Sequence, residues 1–172
     1  MENREKTKTM TLRICLSALF LAINVAMSSF GVPVPGGHLY LNDVIICTAA
    51  ILLGPVEAFC VGGIGAFLGD LFFYPTPMFV SLVTHGLQAV VISLLANRKG
   101  GKHSVNALIG VVLGALIMVI GYTLGRAFIY STPEYAILKI PFQFLQAGVG
   151  AVAAMIICFP AHLLRFWEKF TK

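Results

Sequence analysis

Charged residues are scarce in this chain of 172 residues. Only 11% are Asp, Glu, Lys or Arg, against about a quarter in an ordinary soluble domain, while 58% are hydrophobic and the mean hydropathy is +0.90. Too few polar side chains remain to cover the surface of a globule in water. The composition therefore excludes a soluble domain and predicts an integral membrane protein with several spans.

Motifs of enzymes and nucleotide-binding proteins are missing as well. No Gly-x4-Gly-Lys-Ser/Thr loop occurs, because the nearest approach, Gly-Gly-Lys-His at 100–103, lacks the upstream glycine and the hydroxyl. No His-Glu-x2-His, Gly-x-Ser-x-Gly or Cys-x2-Cys sequence is present. We therefore expect no catalytic centre, no metal and no cofactor, and any ATP would be hydrolysed by a partner. The four cysteines stand alone in apolar runs and are expected to pack as small hydrophobic residues.

Six apolar segments each approach the ~20 residues that a helix needs to cross ~30 Å of hydrocarbon. They lie near 10–30, 39–53, 56–73, 78–96, 105–126 and 141–164. The runs are continuously apolar rather than alternating, which disfavours a transmembrane barrel. We predict an all-α integral membrane protein in which six transmembrane helices form one domain over residues 1–172. The second segment is short for a span and is expected to be tilted, broken or partly re-entrant.

Lysine and arginine residues are concentrated at one end of this bundle. Ten of the twelve precede helix 1, join helices 4 and 5 or follow helix 6. The positive-inside rule then places both termini in the cytoplasm of a prokaryotic cell. Only Arg126 and Lys139 fall on the outer side. This distribution explains the net charge of +5 without a nucleic-acid partner. The ten residues are Arg4, Lys6, Lys8, Arg13, Arg98, Lys99, Lys102, Arg165, Lys169 and Lys172.

Nine polar side chains stand in these segments, and all fall toward the outer end. Such a residue costs several kcal/mol in lipid unless it pairs or lines a cavity. At 1.5 Å per residue, His85 lies ~10 Å and Gln88 ~15 Å below the outer end of helix 4. The inner halves of helices 3 to 6 are almost purely apolar, which disfavours a channel or proton path. We predict a binding cavity open to the outside, formed by Asn42, Asp43, Asp70, His85, Gln88, Tyr122, Arg126, Gln143 and Gln146.

Each of these residues also has a structural interpretation. Asp43 and Asp70 could cap helix ends, and Arg126 could anchor the bundle at the headgroups. Amides in a membrane bundle can serve only to link helices. The binding interpretation depends on their common side rather than on any one of them. The aromatic and proline-rich loops at 31–38, 74–77 and 127–140 could be connecting turns or a lid.

Small residues form a second pattern on helix 1. Ala18, Ala22 and Ala26 recur every four residues, a spacing that lets another helix approach closely in lipid. This stripe is the best candidate for contact with a partner.

With these features the chain resembles the substrate-binding S component of an energy-coupling factor (ECF) vitamin transporter, of the hydroxymethylpyrimidine/pyridoxine or the riboflavin type. The resemblance covers the six helices, the basic ends, the alanine stripe and the sequences at 36–43, 49–55, 62–66 and 69–70. It implies that the alanine face docks on a transmembrane coupling subunit shared by several S components. It also implies that two cytoplasmic ATPases power uptake, and that the loaded S component topples in the membrane.

The substrate is expected to be a small hydroxylated nitrogen heterocycle, because Gln and Asn donate and accept in one plane. Only two cations lie outside, which disfavours a highly anionic ligand. Hydroxymethylpyrimidine or pyridoxine is the preferred expectation, and riboflavin stays open. Two other classes also stay open: an intramembrane enzyme using His85 with Asp70 or Asp43, and an envelope scaffold in which the polar residues only tie helices together.

Overall fold

The computed structural model describes residues 2–35, 37–98 and 100–171, without the side chains of residues 2–6, 8 and 168–171. Gly36, Lys99 and Lys172, which enter the sequence argument, lie outside the described residues. The helices are α1 (Glu2–Met27), α2 (Asn42–Leu52), α3 (Pro55–Phe59), α4 (Gly65–Phe73), α5 (Met78–Ala96), α6 (His103–Gly125), α7 (Pro133–Cys158) and α8 (Leu163–Thr171). Two strands, β1 (Val32–Val34) and β2 (Gly37–Leu39), form an antiparallel hairpin between α1 and α2.

Five helical stretches of the described chain are long and apolar enough to cross a membrane. They are Thr9–Met27, Pro55–Phe73, Met78–Ala96, His103–Tyr130 and Pro133–Cys158. In Pro55–Phe73 a π-helical turn at Cys60–Ile64 joins α3 to α4, and a second one at Arg126–Tyr130 continues α6. Helix α2, with 11 residues, is the short segment that the sequence indicated.

Helix α2 lies in the interior of the bundle. Ile46, Ile51 and Leu53 are inaccessible to solvent, and the helix packs against α1, α5 and α7. Ser93 on α5 donates a hydrogen bond of 2.6 Å to the backbone carbonyl of Leu53, just past the end of α2. The longer helices carry exposed Leu, Ile, Val and Phe on their outer faces, as expected for contact with lipid. A buried α2 is therefore surrounded by a shell of longer helices.

The predicted loop at 127–140 is wrong, because most of it is helical. Helix α6 continues through its π-helical turn to Tyr130, and α7 begins at Pro133, eight residues before the predicted start at 141. The sequence argument used Pro141 as the first-turn proline of the last helix, but Pro133 occupies that position. Pro141 lies inside α7 on its exposed side. The start of α7 is consequently part of the cavity wall described below.

Three other differences concern element ends. Helix α1 covers Glu2–Met27 rather than 10–30, and the loop that follows it contains the hairpin. Helix α7 ends at Cys158 rather than at 164, and His162, with φ of 61°, lies in the turn before α8. The described chain is therefore a helical bundle with one small β-hairpin at the end where α5 and α7 begin.

Candidate functional site

A polar cavity opens at the end of the bundle where α4 and α6 end and α5 and α7 begin. It contains about 490 Å³ of atom-free space, counted out to its open mouth. Ligand sites in proteins commonly hold ~300–1,000 Å³. Twelve of its fourteen lining residues carry a polar side chain. The lining residues are His38, Tyr40, Asn42, Asp70, Tyr74, Pro77, His85, Met118, Tyr122, Arg126, Tyr130, Lys139, Gln143 and Gln146.

The floor of the cavity is supported by Asp43, a buried residue in the first turn of α2. Its Oδ1 accepts a hydrogen bond of 2.9 Å from Gln88 Nε2 on α5, and its Oδ2 accepts one of 2.6 Å from Gln146 Nε2 on α7. Gln88 Oε1 lies 2.6 Å from Nδ1 of His85. Gln146 Oε1 accepts from the backbone N–H of Tyr40 at 3.1 Å. One carboxylate thus joins three helices and the end of the hairpin, and its hydrogen bonds offset the cost of its burial.

A second series of hydrogen bonds joins α4, α5 and α6. The Tyr122 hydroxyl donates to Ser81 Oγ at 2.5 Å, and the Ser81 hydroxyl donates to Asp70 Oδ2. The ring of Tyr122 stands edge-on to His85, with 5.2 Å between the ring centroids. These contacts fix a carboxylate and a phenol that both face the cavity.

Two cations lie where the hairpin meets the bundle. Lys139, in the second turn of α7, is 3% exposed and donates to the backbone carbonyl of His38 at 2.5 Å. The Arg126 guanidinium lies 5.2 Å from the ring centroid of Tyr130. It also lies under Gly37, where φ is +144° and an added Cβ would come within 3.3 Å of Nη1. Both cations therefore contact the hairpin that covers one side of the cavity.

Four polar atoms in the cavity wall are buried and have no hydrogen-bond partner among the described residues. They are Asn42 Oδ1, Gln143 Nε2, His38 Nδ1 and the Tyr130 hydroxyl. Leaving a buried donor or acceptor unpaired costs ~1–3 kcal/mol, so native proteins seldom keep one without a reason. The Gln143 amide is oriented, because its Oε1 accepts from Thr123 Oγ1 at 3.2 Å. The cavity is therefore equipped to form hydrogen bonds with a polar ligand.

Aromatic rings surround the mouth of the cavity. The His38 ring lies 6.1 Å from that of Tyr40 and 5.6 Å from that of Tyr74, centroid to centroid. Burial raises the pKa of the Tyr40 phenol to about 12, so that it is a neutral hydrogen-bond donor at physiological pH. Rings in this arrangement offer faces and edges to a flat ligand. Across the described chain no group of three or more His, Cys, Asp or Glu side chains is placed to hold a metal ion.

Comparison with known proteins accounts for this arrangement. The family described as "ECF-type riboflavin transporter, S component" matches residues 8–162. The chain is an ECF transporter S component. It is 31% identical over 150 residues to the thiamine precursor transporter HmpT of Lactococcus lactis subsp. cremoris (strain MG1363), covering 84% of each chain. It is also 31% identical over 133 residues to a Pyrococcus woesei protein described as uncharacterized, covering 76% of this chain and 88% of the other.

The fold agrees with this membership. A solved structure titled "Structure and mechanism of the S component of a bacterial ECF transporter" superposes with a TM-score of 0.74 over 91% of this chain and 98% of its own, at 18% identity. This S component is therefore the substrate-binding subunit of a vitamin transporter located in a membrane, and it associates with an ECF module. Members of the family are non-catalytic, so neither the enzyme nor the scaffold interpretation is favoured.

The structure brings together the nine residues that the sequence predicted for the site of this S component. Seven line the cavity, and the other two, Asp43 and Gln88, lie behind it and hold His85 and Gln146. Binding by direct contact stays a prediction for the seven. They are Asn42, Asp70, His85, Tyr122, Arg126, Gln143 and Gln146.

Sequence reasoning missed several lining residues. Lys139 and Tyr130 were placed in a loop, and Tyr74 was treated only as part of a possible lid. His38 and Tyr40 belong to the loop that forms the hairpin. Their signal was available, because polar and aromatic residues close to Pro and Gly in outer loops often carry function. What could not be read from one chain was which loop residues fold inward.

The alanine stripe of this S component lies on the exposed side of α1. Ala18, Ala22 and Ala26 are all exposed, and only 6% of the apolar window of α1 is buried. The opposite face is fixed by Asn24, whose Nδ2 donates to the Val61 carbonyl at 2.7 Å. The small residues are therefore accessible to another helix, as docking requires.

Proposed function

We propose that this S component captures hydroxymethylpyrimidine, a pyrimidine precursor of thiamine, in the cavity between α2, α4, α5, α6 and α7. The set of unpartnered buried polar atoms carries the proposal. Asn42 Oδ1 can only accept a hydrogen bond, and Gln143 Nε2 can only donate one. An aminopyrimidine with a hydroxymethyl group supplies both, through its exocyclic amine, its ring nitrogens and its hydroxyl. The similarity to HmpT, a thiamine precursor transporter, supports the same choice.

The polarity of the wall favours a small ligand over a large one. Only Pro77 and Met118 among the lining residues lack a polar group. A tricyclic flavin would place a dimethylated benzene ring in this wall and leave polar atoms there without partners. A single substituted ring can instead be surrounded by hydrogen-bonding groups and covered by tyrosine faces.

Riboflavin is the second candidate, because the matching family is described as a riboflavin transporter component. None of the relatives named above is described as a pyridoxine carrier, so pyridoxine serves as a comparison compound. The three ligands differ in size and in hydrogen-bonding pattern, and binding to the purified protein separates them directly.

The assembly and its orientation belong to the same proposal. The predominance of Lys and Arg at the end opposite the cavity supports cytoplasmic termini, with the cavity open to the outside of a prokaryotic cell. Helix α2 would then complete six spans as a short buried helix. The exposed alanine stripe would dock on a transmembrane coupling subunit, and two ATPase subunits would drive release of the ligand to the inside.

The first experiment is native mass spectrometry of the purified chain, followed by calorimetric titration with hydroxymethylpyrimidine, pyridoxine and riboflavin. We expect hydroxymethylpyrimidine to bind most tightly. Gln143→Leu should weaken its binding on the order of 10- to 100-fold, the equivalent of one unpaired ligand group. Gly148→Leu, which adds bulk on the exposed side of α7 where nothing lies within 4 Å, is the control.

Two results would overturn the proposal. Tighter binding of riboflavin than of hydroxymethylpyrimidine would transfer the assignment to the flavin. Binding of hydroxymethylpyrimidine that Gln143→Leu leaves unchanged would place the ligand elsewhere on the protein.

A further inference from the structure

Asp43 holds its two glutamines in one orientation only. An ionised carboxylate accepts hydrogen bonds and cannot donate them. Since Gln88 and Gln146 each meet one oxygen of Asp43, both must present their amide NH₂ groups to it. The carbonyl oxygens of both side chains are therefore turned away from Asp43, one toward His85 and the other toward the backbone N–H of Tyr40.

The orientation of Gln88 determines where His85 carries its hydrogen. Gln88 Oε1 lies 2.6 Å from His85 Nδ1, and an amide oxygen can only accept. Nδ1 must therefore carry the hydrogen, and in the neutral imidazole Nε2 is then the acceptor. His85 lines the cavity, and Nε2 forms no hydrogen bond to any residue that the structure describes.

We infer that Asp43 is a positioning residue that fixes the tautomer of His85 and so makes the site select ligands with a donor group. The inference rests on the proposed function, because it assumes that this cavity holds the ligand. It adds a specificity determinant: the group facing His85 Nε2 is an amine or a hydroxyl, not a carbonyl or an unprotonated ring nitrogen. Asp43 acts through Gln88 and does not itself line the cavity.

The network also predicts how it fails. In Asp43→Asn, one oxygen becomes an amide NH₂, so one of the two glutamines must turn its carbonyl toward it. Gln146 cannot turn without loss, because its Oε1 accepts from the backbone N–H of Tyr40, which can only donate. Gln88 can turn, because an imidazole can move its hydrogen from Nδ1 to Nε2. His85 should then present a donor to the ligand.

A double variant restores the original arrangement. In Asp43→Asn combined with Gln88→Glu, the new amide NH₂ of residue 43 donates to the carboxylate at 88. The second oxygen of that carboxylate again accepts from His85 Nδ1, while the amide oxygen of residue 43 still accepts from Gln146. The position of the acid in the network has been exchanged, and the hydrogen returns to Nδ1.

The test is ¹⁵N NMR of ligand-free protein with labelled histidine, with the signal of residue 85 assigned from His85→Gln. Wild type should show the hydrogen on Nδ1, Asp43→Asn should show it on Nε2, and the double variant should return it to Nδ1. Asn42→Ala, next to Asp43 but outside the network, should keep the wild-type tautomer. A wild-type hydrogen on Nε2, or the same tautomer in wild type and Asp43→Asn, would refute the inference even where no ligand binds.

A second measurement concerns specificity. Wild type should bind hydroxymethylpyrimidine at least about tenfold more tightly than the analogue that lacks the exocyclic amine, the equivalent of one hydrogen bond. Asp43→Asn should bring this ratio close to one, and the double variant should restore it. If the NMR result holds while hydroxymethylpyrimidine fails to bind, the proposed ligand is wrong and the tautomer assignment stands. An unchanged ratio in Asp43→Asn contradicts the role of Asp43 in specificity.

Discussion

Gln146 Nε2 on α7 donates a hydrogen bond of 2.6 Å to Asp43 Oδ2 on α2, across 103 residues of sequence. Both groups are buried, and each makes a further contact that reaches the cavity wall. The bond therefore has two roles, because it ties two helices together and orients the groups that a ligand meets. Substitutions on either side of it should separate stability from binding.

Gln146→Leu should lower both stability and ligand affinity. It leaves Asp43 Oδ2 and the backbone N–H of Tyr40 without a partner, at ~1–3 kcal/mol for each buried group. Gln143→Leu is the contrasting variant, because its Nε2 has no partner among the described residues and its loss should affect binding alone. Thermal unfolding and calorimetric titration of both variants measure the difference. Equal melting temperatures for the two would contradict the structural role of Gln146.

Gly150→Ala should weaken the packing of α7 on α2. An added Cβ would lie 2.5 Å from the Cβ of Asp43 and 3.1 Å from its backbone carbon, so the helices must separate. Overpacking of this kind costs ~1–3 kcal/mol, and it would also draw Gln146, one turn away, from Asp43. The measurement is the free energy of unfolding in detergent. Gly148→Ala in the same helix meets nothing within 4 Å and should be neutral or stabilising; similar destabilisation by both would exclude the close approach as the cause.

Gly37→Ala should speed release of the ligand. At φ of +144° an alanine is strained by ~1–3 kcal/mol, and its Cβ would press on Arg126, which lies beneath the hairpin. We expect the dissociation rate to rise on the order of tenfold, measured by stopped-flow or filter release. Gly100→Ala has a similar strain, at φ of +98°, with no neighbour within 4 Å and far from the cavity. A comparable increase in that variant would assign the effect to global destabilisation.

Ala22→Leu should abolish uptake while leaving ligand affinity intact. A leucine on the exposed stripe of α1 keeps a partner helix from close approach, and it touches nothing in the cavity. Uptake of labelled ligand in cells and affinity of the purified subunit provide the two readouts. Gly148→Leu adds comparable bulk on the exposed side of α7 and should transport normally. Full uptake by Ala22→Leu would reject the docking face.

The sequence was informative where burial and polarity decide the structure. Helix α5 begins at Met78 and ends at Ala96, as the apolar run between Pro77 and Asn97 predicted. The common side of the polar residues was also readable, because desolvation in lipid leaves polar groups few alternatives.

What the sequence could not give was direction and depth around each helix. Lys139 reads as a loop cation until Pro133, rather than Pro141, is known to begin α7. Asp43 and Gln88 have the same composition signal as the residues that line the cavity, and only three-dimensional packing places them behind it. The hairpin was hidden because two three-residue strands leave almost no periodic pattern.

The length of α2 determines where a ligand can sit. Its 11 residues extend about 16 Å, roughly half of the hydrocarbon thickness, and they run beside only the inner part of α5, from Ser93 to Gln88. The ten residues of α5 beyond Gln88 have no such neighbour, and the cavity fills the space left there. Vacancy in this bundle thus comes from a helix that stops early, not from small side chains. One extra turn at the start of α2 would fill the binding site without changing a single residue of its wall.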